Sequence, residues 1–275
     1  NAVSLLVRLS IPAETPEQRQ AFIRDGGIPE PTYGGQLQDF ALQGVKPEGK
    51  VNISYTDVPV TFKDGTVVTL RKPTLKITEL AFGDMHPKTE FSARVAPPMI
   101  GLGLLESIPQ ETILGFAKQQ LADKQGVSGK ANYVLDVQTN EMALGRFGWK
   151  AGQPNLMQQN AAAFNGDLGL TSRLFPNENC TSAQSTCDDF PNGGEPEVSD
   201  NILDFVEFYS QHLAVPIRRN VDNPAVVQGK KLFKDVGCQS CHQAEIRTAE
   251  REGLPALSKQ LISPYTDMLL HDMGE

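Results

Sequence analysis

Cys238-Gln239-Ser240-Cys241-His242 sets two thiols one helical turn apart, with an imidazole directly after them. Two thiols at that spacing can add to the two vinyl groups of one haem. The next histidine then sits under the iron as its proximal ligand, so the run reads as a covalent c-type haem attachment site. Two other chemistries use a C-x-x-C pair: a dithiol redox motif, and half of a zinc site. Cys180 and Cys187 stand far upstream and lack that spacing, which disfavours a four-cysteine zinc site. No strand–helix pattern of thioredoxin type flanks the motif.

A helix should deliver the motif. Ala225, Val226, Gly229, Leu232 and Phe233 recur at helical spacing, Pro224 stands where a helix begins, and Gly237 stands where it would end. Further upstream, Gln110 to Lys124 carries Ile113, Leu114, Phe116, Ala117, Gln120 and Leu121 on one stripe, and Gly126 stops it. Leu156 to Phe164 reads as another helix. Asp200 to Leu213 is the clearest, capped by Ser199 or Asp200, with Ile202, Phe205, Val206, Tyr209 and Leu213 as its apolar face. Residues 1–50 carry many turn signals and read as loop with short pieces of helix. Within 51–80, strand-like runs flank Asp64-Gly65, a hairpin turn signal. The expected fold class from these elements is therefore mainly α with a small antiparallel β insertion near 51–80. A boundary near residue 215 separates residues 1–215, which hold no C-x-x-C-H motif, from 216–275, which hold it.

The 275 residues suffice for one large domain or two small ones. A net charge of -8 and a pI near 5.1 disfavour nucleic acid and anionic membrane surfaces, and permit a basic redox partner. No apolar run is long enough to span a membrane. The chain opens on Asn1, with no methionine and no signal peptide, and is expected to be a processed chain or a fragment. Cys180 and Cys187 flank a short polar loop, where a disulfide is expected rather than two free surface thiols. Haem c is attached outside the bacterial cytoplasmic membrane, so both features predict a periplasmic protein.

Several stretches resemble the dihaem oxidoreductase family, peroxidase-like proteins also labelled thiol oxidoreductases. They are Tyr33 to Gln38, Arg94 to Glu106, Gly145 to Ala151, the haem motif, and Tyr265 to Gly274. The likeness covers nearly the whole chain and extends, more distantly, to bacterial dihaem cytochrome c peroxidases and to the dihaem enzyme that matures methylamine dehydrogenase. Family members carry a first C-x-x-C-H just upstream of the stretch matching Val3 to Leu9, and they continue past Glu275. The residues here can attach one haem c, while the resemblance implies two, in a mainly α, cytochrome c-like dihaem peroxidase architecture. By that resemblance residues 1–215 are a peroxidase-type domain without its own haem motif, and 216–275 a truncated haem-attachment domain.

The resemblance also implies candidate catalytic residues. The peroxidase relatives carry a tryptophan, a leucine, a glutamine and an acid at set spacings, matched here by Trp149, Leu156, Gln159 and Asp167. A carboxylate can move the proton that peroxide must transfer as its O–O bond breaks, and a neutral amide can orient the peroxide. Trp149 would assist electron transfer between haems. On an unbroken helix Gln159 and Asp167 would stand about 12 Å apart along the axis, so both reach one peroxide only if the helix ends near Gly166. His271 matches a haem-proximal run of the peroxidases. His271, Met268 and Met273 are ligand candidates by type. His212 reads as structural, and His86 sits in a loop. Relatives can bind calcium, which the acidic loops here permit without a calcium-loop motif.

The leading expectation is reduction of hydrogen peroxide with electrons from a small redox protein. The rivals are a pure electron carrier, an oxidase of a protein or other large substrate, and a thiol–disulfide enzyme using Cys238 and Cys241.

Overall fold

The computed structural model describes residues 5–123, 126–185 and 187–274. Val3, Ser4, Lys124, Thr186 and Glu275, which figure in the expectations above, lie outside them. The chain divides into two compact units. One runs up to Ala96 and takes in Asn177–Asn192; the other is Pro97–Pro176 with Gly193 onward.

The first unit contains β1 (Leu5–Ser10), α1 (Pro16–Asp25), β2 (Lys50–Thr61), β3 (Val67–Thr78) and β4 (Glu90–Val95). β1 pairs antiparallel with β4, and β2 with β3. The β2–β3 hairpin turns at Asp64-Gly65, where Gly65 takes φ 86° and Asp64 Oδ1 accepts from Thr66 N at 3.0 Å. Val51, Leu75 and Ile77, toward the ends of this hairpin that join the rest of the chain, pack on Val7, Leu9, Tyr33 and Leu37. Its far end leaves Tyr55, Phe62, Val67 and Leu70 exposed. Tyr33, in the first family-like stretch, is buried. Its hydroxyl donates to Gly83 O at 2.6 Å and accepts from Phe82 N at 3.0 Å.

The second unit contains α2 (Leu102–Glu106), α3 (Gln110–Asp123), β5 (Tyr133–Asp136), β6 (Glu141–Leu144), α4 (Leu156–Leu168), α5 (Asp200–His212), α6 (Pro224–Asp235), β7 (Ile246–Arg247) and β8 (Leu261–Ile262). β5–β6 and β7–β8 are antiparallel pairs. One core joins Ile108, Ile113, Leu144, Ile246, Met268 and Leu269; another joins Met157, Ala161, Val198 and Leu203.

The mainly α expectation is overturned. The chain is 28% helix and 21% strand, with several small sheets. The difference comes from strand pairing. Leu5–Ser10 and Glu90–Val95, far apart in sequence, satisfy each other's backbone groups as a strand pair, and the hairpin arms run twelve residues each. A lone strand beside turn signals looks like loop until its distant partner is known.

The α5 face also differs from expectation. Leu203 and Ser210 are buried, whereas Ile202, Phe205 and Tyr209 are half or more exposed. Close approach decides this. A Cβ on Gly103 of α2 would stand 2.2 Å from Gln211 O, so only a small-residue seam fits between α2 and α5. Gly103→Ala should therefore cost about 1–3 kcal/mol or more as overpacking. Chemical denaturation checks this, and an unchanged midpoint would contradict it.

In the first unit, buried Glu48 accepts from Gln38 N at 2.7 Å and from the Gln184 side chain. Gln184 belongs to the loop closed by the Cys180–Cys187 disulfide, which is present as expected. Burial raises the Glu48 carboxyl from its ordinary 4.5 to about 7; nearby Glu30 adds to the rise, and the two donors oppose it. The folded pKa lies above the unfolded one, so the folded chain holds a proton that the unfolded chain has released. This contribution to stability is full below pH 4.5 and is lost as the pH rises through about 7. Glu48→Gln should remove it. The stability of wild type relative to the variant should fall across that window by up to about 3 kcal/mol, read from denaturation at several pH values. Parallel curves for the two proteins would refute it.

Candidate functional site

α6 begins as expected. Asn223 caps it by accepting from Ala225 N at 2.9 Å, and Pro224 occupies the first turn. Gly237, at φ 87°, turns the chain into a short 3-10 segment, Cys238–Ser240. There His242 N donates to Cys238 O at 3.0 Å, so both thiols and the imidazole come from one hydrogen-bonded turn. Cys238 and Cys241 are free and half-buried.

The His242 ring is oriented by the segment that follows β8. Its Nδ1 lies 2.8 Å from Tyr265 O. A carbonyl only accepts, so Nδ1 carries the proton and Nε2 is left as the ligating nitrogen. A backbone or carboxylate partner of this kind commonly fixes a metal-binding histidine. Phe233 packs against both rings, 5.8 Å from His242 and 5.7 Å from Tyr265. Tyr265 and Met268 hold φ 51° and 59°. Two bulky side chains in the left-handed region within four residues are costly and persist only where surrounding contacts impose them.

Those contacts centre on Gln120, whose role the sequence reading missed. Buried in α3, its Nε2 donates to Ser240 O at 2.8 Å and to Asp267 Oδ2 at 2.7 Å, while its Oε1 accepts from Gly129 N at 2.7 Å. One amide thus joins α3, the cysteine turn and the Asp267 segment. Gly129 must be glycine, since a Cβ there would meet Leu269 at 2.6 Å and Gln120 Oε1 at 2.7 Å. The available signal was a lone amide on an otherwise apolar stripe.

Asp267 in turn accepts from His271 Nε2 at 2.8 Å, and His271 Nδ1 lies 3.9 Å from Cys241 Sγ. Donor atoms of Cys241, Asp267 and His271 lie within 4.8 Å of one another. Both Asp267 oxygens are already committed, Oδ1 to Leu269 N at 3.0 Å and Oδ2 to Gln120 and His271. That makes Asp267 an orienting group rather than a free ligand. Burial, with help from Asp267 and Cys238, pushes the Cys241 thiol up.

A second polar anchor, also missed, is Glu106 at the end of α2. It accepts from Leu156 N at 2.8 Å, from Gln211 Nε2 at 3.1 Å and from Arg251 Nη2 at 3.4 Å. Beside it, half-buried Arg146 donates to Leu105 O and Ile108 O at 3.3 and 2.8 Å. Three family-like or site-bearing segments therefore meet where α4 begins.

The structure brings Cys238, Cys241, His242 and His271 together. Met268 is buried in the core, and Met273 is 90% exposed. Trp149 is 60% exposed, on a tight turn in which Ala151 N donates to Gly148 O at 3.1 Å. Gly145 permits that turn, because a Cβ there would lie 1.9 Å from Ala151 O. Gln159 Oε1 lies 3.9 Å from where a Cβ on Gly148 would be, next to Trp149 in sequence. α4 does not end at Gly166 but runs on to a left-handed cap at Gly169, so Gln159 and Asp167 stay about 12 Å apart along one helix. His212 and His86 make local contacts, with Phe208 O and Lys88 N respectively.

The donor set fits haem c: two free thiols, a fixed imidazole, and open apolar residues on the preceding helix. Val226, Val227 and Leu232 of α6, and Val236 at its C-terminal cap, are all exposed. A polar cleft of about 510 Å³ lies behind the turn, lined by Gln239 and Ser240 but by neither thiol nor His242.

A family model described as "di-haem oxidoreductase, putative peroxidase" matches residues 3–275, so the chain belongs to that family. No curated protein and no solved structure gives a match.

Gln120→Leu should leave buried Gly129 N and half-buried Ser240 O without this partner, remove one of the two donors to Asp267 Oδ2, and cost at least about 2 kcal/mol. Urea unfolding, with amide exchange at Gly129, measures this. A loss below about 0.5 kcal/mol, the range of ordinary surface changes, would contradict the clamp.

Proposed function

We propose that this di-haem oxidoreductase carries haem c on Cys238 and Cys241, with His242 as an iron ligand, and that it reduces hydrogen peroxide with electrons from a small redox protein. The observation that carries the reading is the attachment turn: two free thiols and an imidazole whose Nδ1 is held by Tyr265 O at 2.8 Å. The family description supports haem and oxidoreductase chemistry. The disulfide supports an oxidising, periplasmic location. The acidic balance of the chain supports a basic electron donor.

Bound haem supplies the one-electron redox chemistry of its iron. The chain's own residues do the rest. His242 presents Nε2 in a fixed tautomer. Gln120 and Asp267 hold the turn against the segment that bears His271. Gln159, whose side chain lies close to Gly148, would orient peroxide near Trp149, and the exposed indole would offer a route for electrons. Asp167 stands too far along α4 to touch the same peroxide, so its part would be proton exchange with solvent.

The test is expression in a host that attaches haem c, followed by pyridine haemochrome quantitation and a peroxide consumption assay with a reduced donor. Covalent haem should be present, Cys238→Ala/Cys241→Ala should lose it, and Gln159→Leu should lower peroxide turnover by about 10²-fold, as expected for losing an orienting group. Haem that ignores peroxide would leave an electron carrier, and absence of covalent haem would remove the reading.

A further inference from the structure

We propose that His271 is the positioning residue for the Cys241 thiol during covalent haem attachment, held for that purpose by the Gln120–Asp267 pair. The inference rests on the haem c reading above and assigns a task to a histidine that the reading leaves without one.

The geometry is a directed relay. Gln120 Nε2 donates to Asp267 Oδ2 at 2.7 Å, and His271 Nε2 donates to the same oxygen at 2.8 Å. With its proton on Nε2, the His271 ring presents Nδ1 as an acceptor. Cys241 Sγ lies 3.9 Å from that atom, within reach of an S–H donor. Asp267 is 3% exposed, and the His271 side chain 17%. The relay is therefore sheltered from water, which would otherwise compete for the thiol. Its start is fixed in α3 by the bond from Gly129 N at 2.7 Å. Cys238 stands outside this relay, so the two cysteines of one motif are held differently.

The reaction needs no oxidant. The Cys241 thiol adds across a vinyl double bond: a carbon–sulfur bond forms, the double bond becomes single, and the thiol hydrogen ends on the other vinyl carbon. What it needs is a sulfur kept on the correct side of the turn. A free cysteine side chain samples several rotamers, and one hydrogen bond to a fixed imidazole selects among them.

The consequence is specific to one sulfur. In His271→Phe, haem should remain attached through Cys238, while the share of haem-bearing chains with an unreacted Cys241 should rise by up to about tenfold, the worth of one hydrogen bond. Iodoacetamide labelling with peptide mass spectrometry reads this share at each cysteine. The haemochrome band should move to longer wavelength, because one vinyl group persists. His271→Asn should restore the wild-type share, since its side-chain amide reaches the place of Nδ1 and can still accept. If His271→Phe does not accumulate, Asp267→Asn loosens the imidazole and should raise Cys241 labelling to a lesser extent.

Equal labelling of Cys238 and Cys241 in the variants, or Cys241 labelling no higher than in wild type, would overturn the proposal while leaving the haem c reading intact. Wild-type protein without any covalent haem would overturn both. A merely structural role for His271 would lower yield without distinguishing the two sulfurs.

Discussion

A buried side-chain amide has four hydrogen-bonding sites and no water to fill them, so its partners must come from the protein. Gln120 meets that constraint with three bonds, one to Gly129 nine residues on and two to Ser240 and Asp267, far along the chain. The C-x-x-C-H turn depends on it. α6 and Gly237 give the turn its local shape, but a short 3-10 segment between a helix end and a loop has little to hold it in place. The amide ties its backbone to α3 and, through Asp267, to the chain that supplies Tyr265 and His271. The left-handed backbone at Tyr265 and Met268 is the strain this arrangement accepts. In return Tyr265 O reaches His242, and Met268 reaches the core.

Glu106 plays a matching part where α2, α4 and α5 converge. A carboxylate this sheltered is costly unless it is paired and hydrogen-bonded. Here it has a backbone N–H, an amide and a guanidinium. The family-like stretches ending at Glu106 and spanning Gly145 to Ala151 contain the glycines that let backbones approach: Gly103 against Gln211, and Gly145 against Ala151. These stretches are architectural as much as chemical. They set where α4 starts, and so where Gln159 stands.

Legibility in the sequence followed interaction range. The C-x-x-C-H turn, the helix opening at Pro224 and the hairpin at Asp64-Gly65 are written in neighbouring residues, and all three are where the pattern places them. The pairing of β1 with β4 spans some eighty residues and leaves no local mark, which is why a mainly α fold was expected. Periodicity located α5 but mistook its inward side. It weighs apolarity along the helix, whereas the close approach of α2 to α5 at Gly103 and Gln211 sets the inward side, burying Leu203 and Ser210 and leaving Phe205 and Tyr209 outside. Gln120 and Glu106 were invisible as anchors because a polar residue on a helix is usually solvated. Only their distant partners reveal otherwise. Gln159 and Asp167 were paired through the family resemblance, on the condition that their helix ends near Gly166, and the uninterrupted α4 keeps them apart.

The central claim is that the C-x-x-C-H turn is built by the chain itself, held from α3 without haem. Hydrogen exchange on the haem-free chain tests it most directly. Protection should extend through His242 N, bonded to Cys238 O, and Leu269 N, bonded to Asp267 Oδ1, and it should be lost at both places together in Gln120→Leu. Exchange at unfolded-chain rates in residues 238–242 and 266–271, while α3 remains protected, would contradict the account.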